Sequence, residues 1–114
     1  MKPFIRVMKA LSDPSRIKII KLLEKKELCV CELTVALRLA QSTVSKHLKQ
    51  LEDAEIVEYR KDGPWVNYRL ATESESPYAR ALLGQISQWL NDEKDIVNLI
   101  LQLPAFDREL INAS

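Results

Sequence analysis

The sequence predicts a mainly helical domain of the α+β class, with one small β-hairpin between helices. Three observations support this prediction. Apolar residues recur at helical spacing through most of the 114 residues, one segment alternates around an Asp-Gly pair, and the chain has only two glycines. Because 46% of the residues are apolar and 29% are charged, residues 1–114 should form one compact domain. A chain this short leaves apolar surface that a second subunit can cover.

One helix is predicted before Asp13 and a second helix from Pro14 onward. The first, over 1–11, has its apolar residues at Phe4, Val7, Met8 and Leu11. Asp13 can cap a second helix, Pro14 can take its first position, and the pattern continues to about Lys25. The side predicted to be buried carries Ile17, Ile20, Leu22 and Leu23, and the other side carries Arg and Lys.

A helix-turn-helix is predicted over residues 30–54. One helix runs from about Val30 to Arg38, and a linker of two residues joins it to a helix from about Gln41 to Ala54. The apolar stripe of the second of these helices is formed by Val44, Leu48 and Leu51.

Residues 56–70 predict a strand, a turn and a second strand, a hairpin of the kind called a wing. The turn signal is Asp62-Gly63, within residues 61–64. Alternation places Trp65, Asn67 and Arg69 on one face and Val66, Tyr68 and Leu70 on the other, so that one face can pack against helices. The elements together predict a winged helix-turn-helix fold.

A longer helix is predicted from Ser76-Pro77 to Pro104, over 77–103, with an interruption at Asn91-Asp92. The tail from Ala105 is expected to be frayed.

Charge and composition indicate an anionic partner and argue against an enzyme or a membrane protein. The net charge is only +1, but residues 1–26 carry eight Lys or Arg against two acids, so the chain can present a basic face to an anionic partner. One histidine, two glycines and no catalytic pair of acids argue against an enzyme. No apolar run approaches the roughly 18 residues of a membrane span, and no signal core is present, so we expect a cytoplasmic protein with reduced thiols and no membrane partner.

The exposed side of the helix after the turn predicts a surface that reads double-stranded DNA. Glutamine can pair with adenine in the major groove, while hydroxyls and amines serve bases and phosphates. The candidates on this helix are Gln41, Ser42, Thr43, Ser45, Lys46, His47 and Lys49, and those on the hairpin are Arg60 and Lys61. His47 also lies next to Val44 and Leu51 on the helix wheel, so a partly buried structural histidine is a second interpretation.

Cys29 and Cys31 lie at the predicted start of the third helix. Glu32 has the spacing of a capping box with Cys29, but a thiol stands where Ser or Thr usually accepts a backbone N–H. A helix N-terminus is expected to lower a thiol pKa. Residues two apart in a helix point about 200° from each other, so the two sulfurs can meet at one ion only where the first turn opens. Thiolates select thiophilic metals; buried apolar cysteines and oxidation-sensitive thiols are the alternatives.

The chain resembles the ArsR-type family of winged-helix repressors, and in particular its arsenic-responsive branch. The motifs that carry the resemblance are Ala10-Leu-Ser-Asp-Pro-Ser-Arg16, Glu27-Leu-Cys-Val-Cys-Glu-Leu33, Gln41-Ser-Thr-Val-Ser-Lys-His-Leu48 and Gly63-Pro-Trp-Val-Asn-Tyr-Arg-Leu70. The resemblance implies a homodimer formed by the first and last helices (1–11 and 77–103) and a repressor of a resistance operon. It also implies release from DNA when an inducer, As(III) or Sb(III), binds Cys29 and Cys31, with no cofactor required.

One ligand position differs from the family pattern. A third cysteine often follows the second by three residues in that family, and Thr34 stands there in this sequence. With only two cysteines in the chain, a third donor is solvent, a small thiol or none. Residues 77–103 also lack the histidines of the family's zinc site, and no N-terminal cysteines of the cadmium and lead branch are present.

Two-fold symmetry predicts the form of the DNA partner. Two recognition helices should bind an imperfect inverted repeat with half-sites about 34 Å or a multiple apart, and affinity should fall steeply with salt. Two alternatives remain: a winged-helix protein-interaction module without DNA binding, and a thiol redox-responsive repressor of the same fold.

Overall fold

The computed structural model describes residues 1–113. The helices are α1 (Lys2–Leu11), α2 (Pro14–Leu23), α3 (Val30–Leu37), α4 (Gln41–Asp53), α5 (Pro77–Ile86), α6 (Lys94–Leu101) and α7 (Arg108–Ala113), with a 3₁₀ turn at Leu103–Phe106. The strands are β1 (Leu28–Cys29), β2 (Val57–Asp62) and β3 (Trp65–Leu70). The predicted mainly helical α+β class is confirmed. None of the helices within residues 1–113 has the length and apolar character to cross a membrane.

Side-chain caps start α2 and α5 at the positions that the sequence indicates. Asp13 Oδ2 accepts a hydrogen bond from the Arg16 N–H at 3.1 Å, and Pro14 follows the cap. Ser76 Oγ accepts from the Ala79 N–H at 3.2 Å, again with a proline next in the chain. Each cap is worth about 1 kcal/mol because it satisfies a donor that the helix leaves unpaired.

A tight connection joins α3 to α4. Arg38 ends α3 in the left-handed conformation at φ 56°, and α4 begins three residues later. Val44, Leu48 and Leu51 are buried in the common core, which leaves the opposite side of α4 in solvent.

The three strands form one antiparallel sheet in the order β1-β3-β2. Asp62 pairs with Trp65, so Gly63 and Pro64 alone make the turn, and Gly63 supplies the positive φ of 61°. Lys61 and Asp62 therefore lie in β2 rather than in the turn, where the sequence placed them. The prediction also lacked β1, which pairs Leu28 with Tyr68 and Cys29 with Asn67.

Lys21 contradicts the expected division of α2 into an apolar and a basic side. It is 1% exposed, and its Nζ donates to the Ile86 and Trp89 carbonyl oxygens, each at 3.0 Å. The same Nζ lies 2.8 Å from Glu24 Oε1. These acceptors explain how a lysine can be buried: every one of them is a carbonyl or a carboxylate oxygen.

The predicted long C-terminal helix is two helices. The segment between Ile86 and Lys94 is irregular, and Leu90 adopts a positive φ of 65° within it. The interruption thus begins before Asn91-Asp92.

The expectation of a frayed tail is wrong. Phe106 is 7% exposed and belongs to the hydrophobic core, and α7 follows it. Burial of this aromatic ring holds the end of the chain against α3.

Candidate nucleic-acid interface and thiol site

The solvent side of α4 carries five of the predicted DNA contacts. These exposed residues are Gln41, Ser42, Ser45, Lys46 and Lys49, and Thr43 beside them is half-buried. Ala40, which precedes the helix, offers no side-chain cap. The N–H groups of Gln41 and Ser42 therefore have no capping side chain and lie in the same turn as exposed hydroxyls and amines, an arrangement suited to bases and phosphates.

The two lysines on this side of α4 differ in their surroundings. Lys49 Nζ lies 3.1 Å from Asp53 Oδ1, and this hydrogen bond raises the pKa of Lys49. Lys46 is exposed, and within residues 1–113 it has no ion-pair partner. The Lys46 charge is accordingly the more available of the two to a phosphate.

The structure favours the packing interpretation of His47. Its Nδ1 lies 3.0 Å from Arg16 Nη1, and its Nε2 lies 4.0 Å from Asp13 Oδ2. Because the guanidinium is a donor, Nδ1 is the accepting nitrogen. The ring thus joins α4 to the start of α2 and is set apart from the exposed residues of α4.

The two basic residues of the hairpin lie on opposite faces of the sheet. Arg60 Nε donates to Glu27 Oε1 at 2.8 Å, on the face of Asn67. Lys61 is on the other face with Tyr59, whose ring packs against Tyr68 at 5.7 Å. Burial raises the pKa of Tyr68, and Glu52 of α4 contributes to the rise, so this second face lies beside α4. Lys61 therefore lies on the face of the sheet that is beside α4.

The two cysteine sulfurs meet at the start of α3, with Sγ atoms 2.6 Å apart. Cys29 precedes the helix in extended conformation (φ −86°, ψ 168°), while Cys31 is in its first turn. The change of backbone conformation between them overcomes the divergence of residues two apart in a helix. Cys29 is buried and Cys31 is exposed, and both are free thiols.

Glu32 and the thiol of Cys29 complete a capping box. Glu32 Oε1 accepts from the Cys29 N–H at 2.9 Å, and the Cys29 sulfur faces the Glu32 backbone N–H in return. Burial raises the pKa of the Cys29 thiol to about 12, with further contributions from Cys31 and the Glu32 carboxylate. The expected lowering by the helix N-terminus is wrong for Cys29, because burial and a neighbouring carboxylate outweigh it.

A cleft of about 350 Å³ opens beside the two sulfurs. The cysteines form one wall; the others come from the first residue of α4 and from the hairpin turn. Its lining residues are Cys29, Val30, Cys31, Gln41, Pro64, Trp65 and Val66. The thiols thus share one open space with a predicted DNA contact and with the wing.

Arg108, in the C-terminal segment, lies next to the thiol site. The Arg108 guanidinium donates to Asn67 Oδ1 at 2.9 Å and lies 4.7 Å from the centre of the Trp65 ring. Burial lowers the pKa of Arg108, but Asp62, Cys29 and Glu32 raise it by more. No local pattern in the sequence marks Arg108, since its partners lie 41 to 76 residues away.

The residues present supply two sulfur donors and no third. Thr34 Oγ1 donates to the Val30 carbonyl oxygen at 2.8 Å and is turned back along its own helix. Across residues 1–113, no group of three or more His, Cys, Asp or Glu side chains is placed to hold a metal ion. An ion held by the two sulfurs can take its remaining ligand from the cleft.

Comparisons with known proteins identify the family. Residues 13–59 match the bacterial regulatory protein arsR family. The chain is 41% identical over 91 residues to an arsenic resistance transcriptional regulator of Pseudomonas putida, covering 76% of this chain and 71% of that protein. It is 36% identical over 97 residues to an arsenical resistance operon repressor of Staphylococcus xylosus, covering 85% and 82%.

A solved structure agrees in fold. The homodimeric winged helix-turn-helix DNA-binding domain of a possible ArsR-family regulator from Mycobacterium bovis superposes with a TM-score of 0.66 at 28% identity, covering 89% of this chain and 83% of that one. The winged-helix prediction is confirmed, and these relatives are regulators rather than enzymes. The chain belongs to the arsR family of bacterial regulatory proteins and is a DNA-binding transcriptional regulator.

Proposed function

We propose that two copies of the chain repress transcription by binding an imperfect inverted repeat in double-stranded DNA, and that As(III) or Sb(III) bound by Cys29 and Cys31 releases them. The observation that carries this proposal is the cleft that the thiols share with Gln41 and the hairpin turn. The arsenic resistance named for the Pseudomonas and Staphylococcus relatives supports the choice of inducer. A protein with this role acts on the chromosome, in the cytoplasm.

Apolar side chains on α1 and α5 support the dimer. Phe4 and Ile5 of α1 are 39% and 41% exposed, and Tyr78 of α5 is 41% exposed. Phe4 and Tyr78 pack edge to face at 5.4 Å, so they form one continuous surface. A second copy that covers this surface gives a two-fold dimer, and half-sites on one face of the duplex require its two α4 helices to lie about 34 Å or a multiple apart.

The residues of α4 divide the work of DNA binding. We assign Gln41, Ser42, Thr43, Ser45 and Lys46 to the major groove, where the amide and hydroxyls can distinguish base edges and the Lys46 charge attracts a phosphate. Lys49, Arg60 and Lys61 serve the phosphate backbone, with Lys61 the better placed because it shares the side of α4. His47 is assigned to packing, given its contact with Arg16.

The chemistry of two neighbouring thiols suits trivalent arsenic, which is thiophilic. Arsenous acid needs no prior ionisation: As(OH)₃ and two thiols give (RS)₂AsOH and two molecules of water, so each thiol proton leaves with a hydroxide. The hydroxide that stays on arsenic fills the third position, and no cofactor is required.

Occupation of the site changes the surface that meets DNA. An ion bonded to both sulfurs fixes Cys29 relative to Cys31 and so reshapes the first turn of α3, which packs against α4. Its remaining ligand projects into the cleft towards Gln41 and the hairpin turn. Both parts of the DNA-binding surface are then displaced from their positions in the ion-free protein.

Fluorescence anisotropy of reduced protein on DNA from upstream of its own gene tests the proposal. Arsenite should release the wild-type protein and fail to release Cys29→Ser and Cys31→Ser, while both variants keep DNA affinity. Glu73→Gln, in the exposed loop between β3 and α5, provides a control that leaves the thiols and the assigned DNA contacts intact and should still release. Tight DNA binding that arsenite does not change in the wild type contradicts the inducer assignment.

A thiol redox switch is the second candidate, favoured by the exposure of Cys31 and the proximity of the sulfurs. Peroxide would convert the Cys31 thiol to sulfenic acid with loss of water, and the Cys29 thiol would displace a second water to form a disulfide. Release by peroxide but not by arsenite would establish this function in place of the first.

A further inference from the structure

Arg108 joins parts of the molecule that lie far apart in the sequence. Its guanidinium donates to Asn67 Oδ1 at 2.9 Å and to Asp62 Oδ2 at 3.3 Å, and it covers the Trp65 ring at 4.7 Å. Its backbone N–H donates to Glu32 Oε2 at 2.9 Å. One residue of the C-terminal segment therefore holds the hairpin against the beginning of α3.

The partners of Arg108 are also neighbours of the thiol site. Glu32 uses its other oxygen, Oε1, to accept from the Cys29 N–H at 2.9 Å. Asn67 is the residue that pairs with Cys29 between β1 and β3, and Trp65 lines the cleft beside both sulfurs. A movement of the Cys29 backbone thus reaches Arg108 along two routes, one through Glu32 and one through Asn67.

Buried acceptors hold this arrangement in place. Glu32 is 4% exposed and Asn67 is 6% exposed, so water replaces Arg108 poorly at these two acceptors. A buried acceptor that loses its donor carries the full desolvation penalty, so intermediate positions of Arg108 are disfavoured. The contact is either made or broken, as a switch requires.

We propose that Arg108 is the positioning residue that transmits the state of the Cys29–Cys31 site to the hairpin. In the ion-free protein it fixes the hairpin in the position used on DNA. An ion that bridges the sulfurs moves Cys29 and Glu32 and breaks the Arg108 contacts, which frees the hairpin. This inference rests on the proposed function and names the path by which the thiol site acts.

Trp65 reports on the Arg108 contact without DNA. The chain has two tryptophans, so Trp89→Phe leaves Trp65 as the single emitter. Arsenite should change Trp65 emission in this background, and Arg108→Gln should abolish the change although bound arsenic per chain stays the same. Arg108→Lys should restore part of it, because lysine keeps the charge but lacks the fork that serves Asn67 and Asp62 together.

A matched control separates this role from a loss of surface charge. Arg69 forms an ion pair with Glu58 in the same sheet, with Nε and Oε1 2.9 Å apart, and within residues 1–113 it forms no hydrogen bond or ion pair with Asp62 or Asn67. Arg69→Gln should keep the full arsenite-dependent change of Trp65 emission. A response in Arg108→Gln equal to that of Arg69→Gln overturns the inference, as does a Trp65 that ignores arsenite bound to both thiols.

DNA affinity provides a second test of the role of Arg108. In the wild type, arsenite should raise the dissociation constant for DNA by roughly 5- to 150-fold, the range typical of allosteric coupling. In Arg108→Gln the ratio of the two dissociation constants should be about 1. If wild-type affinity ignores arsenite while Trp65 responds through Arg108, the proposed function fails and the Arg108 contact stands. If release persists in Arg108→Gln, the proposed function stands and this inference fails.

Discussion

Replacing the buried Lys21 by methionine should destabilise the protein severely. The substitution keeps most of the alkyl chain but removes the cation 2.8 Å from Glu24 Oε1 and the donor to the Ile86 and Trp89 carbonyl oxygens. Breaking a buried ion pair by removing one partner costs about 3–5 kcal/mol. The Glu24 side chain is 13% exposed and can rehydrate in part, so we expect the lower end, about 3 kcal/mol.

Urea denaturation followed by circular dichroism measures this loss, at fixed protein concentration because a dimer's stability depends on it. Thermal unfolding should shift down by about 12 °C, at roughly 4 °C per kcal/mol for a chain of this size. Lys25→Met, on an exposed lysine just after α2, should stay within about 0.5 kcal/mol of wild type.

A second substitution separates charge from packing. Glu24→Gln alone should destabilise, because it weakens the pair with Lys21. In the Lys21→Met background it should instead stabilise by about 1 kcal/mol, because it removes a carboxylate that has lost its cation. A loss below about 1 kcal/mol for Lys21→Met, or the same sign for Glu24→Gln in both backgrounds, would refute the reasoning.

Three further predictions concern the thiols and the DNA surface. At pH 8, iodoacetamide should modify Cys31 before Cys29, as measured by mass spectrometry. Burial raises the pKa of Cys29 from 9.0 to about 12, which lowers its thiolate fraction about a thousandfold. Equal rates of modification would contradict the burial of Cys29. Folded Cys29 keeps its proton up to about pH 12, whereas an unfolded thiol loses its proton near pH 9.0. The free energy of unfolding should therefore decrease as the pH rises from 9.0 to 12, relative to that of Cys29→Ala, and should show no such decrease below pH 9.0. Lys46→Ala should weaken binding to all DNA sequences and reduce the salt slope by about 1, whereas Lys94→Ala should change neither.

Local signals account for the elements that the sequence predicts well. The caps at Asp13 and Ser76 act within three residues, and the stripe of Val44, Leu48 and Leu51 repeats every turn of one helix. Such patterns need no knowledge of the rest of the chain. The helix-turn-helix and hairpin could therefore be located from spacing and turn residues alone.

Long-range contacts account for what the sequence could not show. The two residues of β1 become a strand only because β3 is present to pair with them, and two residues are too few for a pattern. Lys21 is buried because carbonyl oxygens 65 and 68 residues away meet its Nζ. The position of the C-terminal segment likewise depends on the hydrogen bond from the Arg108 N–H to Glu32 Oε2, between residues 76 apart in the chain.

The shared cleft also bears on how sensitive the regulator is in a cell. Under the proposed function, effector and DNA both use the cleft that the sulfurs and Gln41 line, so each weakens the binding of the other by the same factor. Copies on the operator thus bind effector more weakly than free copies, which fill first. A cell that makes more of this protein will need more effector before its operator is vacated, so abundance sets the threshold of the response.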